Sequence, residues 1–300
     1  VAPNRSVYFF FIDGIGVGQA GPQNPFHTLE LPGFRRLMAG GDLTAEGFSD
    51  ISEDGLVVRA IDANLGLEGL PQSGTGQATL FTGVNCAELA GRHYGPFPHS
   101  TSRPILKERN LFTRVGPDRA ALANAYPERF FEWALQRDRW STTTRCCLDS
   151  GVHIRTMDDL RAGKAISADL TGAGLAAVAN SPVKAISEKE SAERIQTLCG
   201  TYHLVVSEYF HTDKAGHAQD SEDAGRRLRS IDRYLSELMD TLDFSRTTLV
   251  LTSDHGNIED LSVKTHTRHP VPLLVRGPGS SNFKDVTDLT GLAKGILAST

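Results

Sequence analysis

The sequence predicts an α/β protein: a three-layer α/β/α sandwich around a mostly parallel sheet, with a small inserted lid. Two observations carry that expectation. Short runs rich in Val, Phe, Ile and Leu recur at Ser6–Ile12, Leu56–Ile61, Leu204–Tyr209, 248–252 and 271–275. Continuous apolar runs of this length suit strands covered on both faces. Between some of them lie helical patterns. In 222–242, Ala224, Leu228, Ile231, Leu235, Leu238 and Leu242 recur at spacings of three and four, with charges opposite, which is the stripe of an amphipathic helix. Strands alternating with such helices build layers around one sheet.

The stretch 128–196 breaks the alternation. It holds the aromatic and basic cluster ERFFEWALQRDRW and the small-residue segment LTGAGLAAVANSPVKA, with no convincing run of buried strands. We read 1–127 and 197–300 as one core and 128–196 as a lid inserted into it. Trp133 and Trp140 would be lid core, or platforms for a base or sugar. A chain of 300 residues is long enough for a core with such an insertion.

The totals exclude several classes. A net charge of −5 gives no support to a nucleic-acid surface, which needs a basic field. No apolar run reaches the ~18–20 residues of a membrane span. The start VAPNRS lacks the basic and apolar regions of a signal peptide. Cys86, Cys146, Cys147 and Cys199 form neither a metal-knuckle spacing nor a disulfide framework, so they read as reduced thiols and the expected location is cytoplasmic.

Residues able to bind metal collect at the ends of the expected strands. Asp13 follows the first. Asp213 and His217 follow the Leu204–Tyr209 run, four residues apart, so one helical turn puts both on one face. Asp254 and His255 follow 248–252, and His266 precedes 271–275. Open α/β sheets place their sites at such ends. Three carboxylates and three imidazoles suit two divalent ions such as Mn²⁺ or Zn²⁺, with Mg²⁺ a poorer match to the imidazoles. Ser73, in SGTGQATLFTG, is the candidate nucleophile. Gly74 and Gly76 leave room for an anion beside it, and a helix expected after them would favour negative charge. Thr75 is an alternative hydroxyl.

A competing reading comes from FFFIDGIGVGQAG, where Gly16, Gly18 and Gly21 outline a dinucleotide fingerprint. Pro22 and Pro25 stand where the fingerprint's helix should run, and proline in a helix interior costs ~3 kcal/mol. Asp13 is then the telling residue, with Gly14 and Gly16 as space beside it.

Taken in order, IDGIG (Asp13), SGTGQ (Ser73), DKAGH (Asp213, His217), SDHGN (Asp254, His255) and HTRHPVP (His266) resemble the alkaline phosphatase superfamily. The chain is most similar to the metalloenzyme branch that contains cofactor-independent phosphoglycerate mutase and phosphopentomutase. The resemblance implies one ion held by Asp13, Ser73, Asp254 and His255, and a second held by Asp213, His217 and His266. It implies a small phosphorylated substrate and a phosphoserine at Ser73, passed on to water (a phosphatase) or to a substrate hydroxyl (a mutase). A phosphodiesterase or phosphonate hydrolase, or an inactive binding relative, are the other members it allows. Gln77 stands where the mutases have His, and the lid is far shorter than the substrate-binding domain of phosphoglycerate mutase. The Cys-x-Pro-x-Arg of sulfatases is missing. Arg92, His93 and Arg103, in and after GRHYGPFPHS, are candidate substrate anchors because guanidinium forks match phosphate oxygens.

Overall fold

A computed structural model describes residues 3–178 and 183–300. Positions 179–182, inside the small-residue segment, lie outside the described residues. The main sheet has seven strands in the order β2-β3-β9-β8-β1-β7-β4. They are β1 (Ser6–Ile12), β2 (Ile51–Glu53), β3 (Leu56–Ile61), β4 (Ala120–Leu122), β7 (Leu204–Tyr209), β8 (Thr247–Thr252) and β9 (Val271–Arg276). Two further short strands, β5 (Ala125–Tyr126) and β6 (Arg155–Thr156), pair with each other.

Central β1 shows why its run is apolar throughout. Val7, Phe9 and Phe11 pack on one side with Phe81, Phe112, Cys146 and Ile296. Tyr8, Phe10 and Ile12 pack on the other with Phe34, Ile195, Leu228 and Leu235. Successive side chains point to opposite faces, and each face carries a helix layer. A fully buried Phe contributes about 2–3 kcal/mol by area removed from water, so this strand anchors both cores. One layer contains the helices Ser73–Thr82, Ser102–Arg109, Thr142–Ser150 and Gly291–Ser299; the other contains Glu188–Cys199 and Ser221–Thr241.

The expected parallel sheet holds for β1, β7, β8 and β4. It fails for β9, which runs antiparallel to both β8 and β3. This departure serves the site. Thr252, the last residue of β8, faces Leu273 near the start of β9, so the loop before β9 reaches the edge where β1, β7 and β8 end. Its burial on both faces had made β9 read like its neighbours, because apolar continuity carries no direction.

Within 128–196, the Thr142–Ser150 helix is part of the packed layer: Cys146 and Cys147 are fully buried in the same cluster as Phe9 and Phe81. Glu188–Cys199 packs against Ser221–Thr241. The Glu128–Arg137 helix is the more exposed part, with Leu135 70% exposed and Trp133 37%.

Candidate metal centre

Every donor named from the sequence arrives at one edge of the sheet. Asp13 is the first residue beyond β1, and its amide is held by the Tyr209 carbonyl at 2.9 Å. Gly14 turns the chain away at φ +72°, and a Cβ there would stand 2.9 Å from Asp213; only glycine meets both demands. Asp213 and His217 lie on the His211–Ala218 helix, one turn apart. Asp254 and His255 follow β8 and are fully buried.

Ser73 opens the Ser73–Thr82 helix, with Gln72 as its N-cap. The helix therefore begins at the serine and includes both glycines, not after them as expected. Packing explains it: a Cβ at Gly74 would collide with the Phe97 carbonyl, and one at Gly76 would stand 3.0 Å from the Asp254 carbonyl. The Ser73 hydroxyl lies 3.0 Å from His255 Nε2. Thr75 is corrected as a nucleophile: it is fully buried, and its Oγ1 donates to the Gln72 and Tyr94 carbonyls at 3.3 and 3.4 Å and accepts from the Tyr94 amide.

The geometry fits bound cations, on two observations. In the first cluster, His255 Nε2 stands 3.3 Å from Asp13 Oδ1 and 3.5 Å from Asp254 Oδ2. The Gln77 amide donates to Oδ2 of Asp13 and Oδ2 of Asp254, at 3.3 and 3.1 Å. Oδ1 of each carboxylate is buried with no hydrogen-bond partner, a costly state that a cation would relieve. Burial, then Asp254, Asp213 and Glu208, push the Asp13 carboxyl well above its ordinary range.

In the second cluster, His217 Nδ1 and His266 Nδ1 each sit 2.6 Å from a backbone carbonyl, of Lys264 and Pro71. A carbonyl only accepts, so each Nδ1 carries hydrogen and each neutral ring presents a lone pair at Nε2. Those two Nε2 atoms are 3.1 Å apart, and Asp213 oxygens lie 3.4 Å from each. Two lone pairs and a carboxylate aimed at one point are a cation's donor set, and carbonyl-oriented imidazoles are the usual supporting arrangement. Burial pushes Asp213 up, but the His266 hydrogen bond and nearby His255 hold it well below the usual carboxylate range. Burial lowers His266, and its bonds to Asp213 and Pro71 more than offset this. Burial, with His266 adjoining, lowers His255.

The two clusters adjoin. The rings of His255 and His266 stack at 3.7 Å, and Asp213 also falls within reach of Asp13 and His255.

Some contributors were not foreseen. Glu259 is 1% exposed and fastens three ligand-bearing loops. It accepts from the Gly16 amide at 2.9 Å, the Asn257 amide at 2.7 Å, His269 Nδ1 at 3.0 Å and the Thr267 hydroxyl. Gly16 and Gly18 are glycines because Glu259 lies against them, which accounts for the spacing that mimics a dinucleotide loop. Asn257 in turn donates to Asp213 Oδ1 at 2.7 Å. Glu208, on β7, is a buried carboxyl held by the Tyr126 hydroxyl at 2.5 Å and by Thr143. Only the identity of SDHGNIE, with its carboxylate four residues past His255, could have signalled Glu259.

The candidate anchors flank the serine's turn. Arg92 and His93 line an open hollow with Gln72; burial and Arg268 lower the His93 pKa. Arg103 lines a separate cavity with Arg139 and Arg145. Lys264 contributes its carbonyl to His217.

Comparison with known proteins agrees with this architecture. Residues 151–299 match the Metalloenzyme superfamily model. That stretch is just under half of the chain, and with the phosphoglycerate mutase relatives it supports a metalloenzyme reading. Over 126 residues the chain is 31% identical to the 2,3-bisphosphoglycerate-independent phosphoglycerate mutase of Parasynechococcus marenigrum, covering 36% of this chain and 23% of that one. Over 75 residues it is 37% identical to the Archaeoglobus fulgidus 2,3-bisphosphoglycerate-independent phosphoglycerate mutase 1, covering 25% and 18%. The chain thus matches less than a quarter of the length of these curated relatives. Among solved structures, alkaline phosphatase from the Antarctic bacterium TAB5 aligns over 99% of this chain and 98% of its own, with TM-score 0.52 and 12% identity. The PH0037 protein of Pyrococcus horikoshii aligns over 92% and 86%, with TM-score 0.54 and 15% identity. At these identities they show the fold.

Proposed function

We propose that this protein is a metal-dependent enzyme that transfers the phosphoryl group of a small phosphate ester through Ser73. The observation that supports this best is the Ser73 hydroxyl itself, at the first turn of a buried helix, 3.0 Å from His255 Nε2 of the first donor cluster. Asp13, Ser73, Asp254 and His255 would hold one divalent ion, and Asp213, His217 and His266 a second, with Mn²⁺ or Zn²⁺ suited to this donor set. Bound there, such ions supply Lewis acidity to phosphoryl oxygens and lower the hydroxyl's pKa.

The chain supplies the rest. The His255 Nε2 lone pair would be taken by the same ion as the Ser73 oxygen, so the serine proton passes to water. The Ser73 and Gly74 amides open the helix without a backbone partner among the described residues, so they favour an anion. Ser73 Oγ bonds to phosphorus as the bond to the ester oxygen breaks, and that oxygen leaves with a proton. Water, or a second substrate hydroxyl, then takes the phosphoryl group from Ser73. The named relatives favour the second acceptor, a mutase, as the alternative outcome. We also propose that 128–196 forms the inserted segment, with 128–140 its covering part because 142–150 and 188–199 pack into the helix layers. A cytoplasmic setting is consistent with four buried free thiols, and among the described residues no helix is long and apolar enough to cross a membrane.

The test is a panel of phosphomonoesters in Mn²⁺ or Zn²⁺, scored for free phosphate and for migrated ester, with mass spectrometry of the Ser73 peptide after rapid quenching. Phosphate on Ser73 with release supports a hydrolase, and with migration a mutase. Turnover without any adduct, undiminished in Ser73→Ala, overturns the reading.

A further inference from the structure

The cavity that Arg103 lines belongs to no donor cluster. It measures about 260 Å³, room for a small anion rather than a large cofactor. Three arginines, Arg103, Arg139 and Arg145, line it with one carboxylate, Asp138, while Asp149 pairs with Arg145 from outside the lining, which leaves a net positive charge. In a chain of net charge −5 this is a local reversal of sign, and walls of low dielectric strengthen such a field.

Arg103 and Arg139 have no tight carboxylate partner there among the described residues. Arg145 is fixed by Asp149 at 3.0 and 3.1 Å, which holds its fork in place. Asp138 reaches Arg103 only at 3.5 Å and Arg145 at 4.0 Å, longer than the roughly 2.7–2.9 Å of a tight charge-assisted bond. Arg139 lies over the Phe97 ring at 5.7 Å and has no carboxylate partner among the described residues. Trp140, 8% exposed, closes one side.

The cavity shares a wall with the serine's turn. Tyr94 and Phe97 line it; the Tyr94 carbonyl accepts from the Thr75 amide at 2.9 Å, and both carbonyls press on Gly74. We infer that this cavity is an anion subsite, built by the 138–140 segment, the Ser102–Arg109 and Thr142–Ser150 helices and the 94–98 loop, that holds a carboxylate or phosphate of a ligand. Asp138 is its internal surrogate, displaced when the ligand's anion arrives. That the ligand is the far end of the Ser73 substrate rests on the function proposed above; the anion site does not.

Binding is therefore tested without catalysis. In a Trp133→Phe background, Trp140 fluorescence is titrated with tricarballylate and separately with inorganic phosphate, on full-length protein stripped of metal by chelator and dialysed. We expect saturable quenching by at least one of them, and the stronger shows whether carboxylate or phosphate is preferred. Arg139→Gln should weaken it about tenfold, the loss of one charge-assisted bond. Asp138→Asn should tighten it severalfold, and Asn tolerates the left-handed backbone at this position (φ 45°). Opposite shifts from two exposed positions cannot come from misfolding. No saturable quenching, or quenching indifferent to both variants, overturns the subsite. A substrate role adds one reading: Arg139→Gln should raise KM for a phosphomonoester bearing a carboxylate about tenfold more than for p-nitrophenyl phosphate. Equal effects on both esters would detach the subsite from catalysis, and inactivity of the wild type on both would count against the proposed function instead.

Discussion

The two donor clusters are built differently. The Asp13–Asp254–His255 cluster comes from strand ends and is sealed, with Asp254 and His255 fully buried. The Asp213–His217–His266 cluster comes from one helical turn and one loop, and the His217 side chain is 45% exposed. In the first, two carboxylates with orphaned oxygens crowd together, so the metal-free protein stores unfavourable electrostatics there. In the second, one carboxylate and two imidazoles face each other at a rim open to solvent. The inner cluster is thus the one tied to the nucleophile and to the stability of the fold. Under the proposed function, the outer one is where an ion and a substrate would exchange.

Breaking the inner cluster should have the largest effects. Ser73→Ala should lower turnover by about 10³-fold or more while leaving the far-ultraviolet circular dichroism unchanged. Asp13→Asn separates two consequences of one charge. It should abolish stabilisation of the protein by divalent ions, yet raise the melting temperature of the metal-free form. The sign follows from the raised Asp13 value: the folded state holds the proton more tightly than the unfolded one. Metal-free stability should then fall as pH rises from the ordinary carboxylate range through that raised value. Scans of melting temperature against pH should slope downward in the wild type and flatten in Asp13→Asn.

Perturbing the outer cluster should cost less. His217→Ala should weaken binding of one ion by about 100-fold with little change in metal-free melting temperature, since its ring is half exposed. Calorimetric titration with Mn²⁺ reads this directly, and equal loss at both sites would erase the distinction between clusters. Glu259→Gln sharpens it further. It removes no donor, but it loosens the loops carrying Asp13, His255 and His266, so both ions should weaken by about tenfold. An effect on melting temperature alone would make Glu259 merely structural.

The candidate donors could be picked out in the sequence because ligand chemistry resides in side-chain identity, and strand ends are marked by where apolar runs stop. Asp213 and His217 could even be placed on one helical face from their spacing. What orients the donors was hidden. The Pro71 and Lys264 carbonyls that fix the two imidazoles are backbone groups, which sequence does not distinguish. Glu259 meets Gly16 across 243 residues, and only the folded sheet brings them together. The start of the Ser73 helix was misplaced because local propensity disfavours glycine in a first turn, whereas close approach of the Phe97 and Asp254 carbonyls requires it. No motif singles out Arg139 and Arg145 in the sequence, and their convergence with Arg103 depends on how the 138–140 segment and the Thr142–Ser150 helix pack.

The account stands most directly on the number of ions the edge of this sheet can hold. Calorimetric titration of chelator-treated protein with Mn²⁺ or Zn²⁺, checked by elemental analysis after gel filtration, should give two sites per chain. The His217→Ala/His266→Ala double variant should retain one. A wild type that binds neither ion, or a double variant that still binds two, would contradict it.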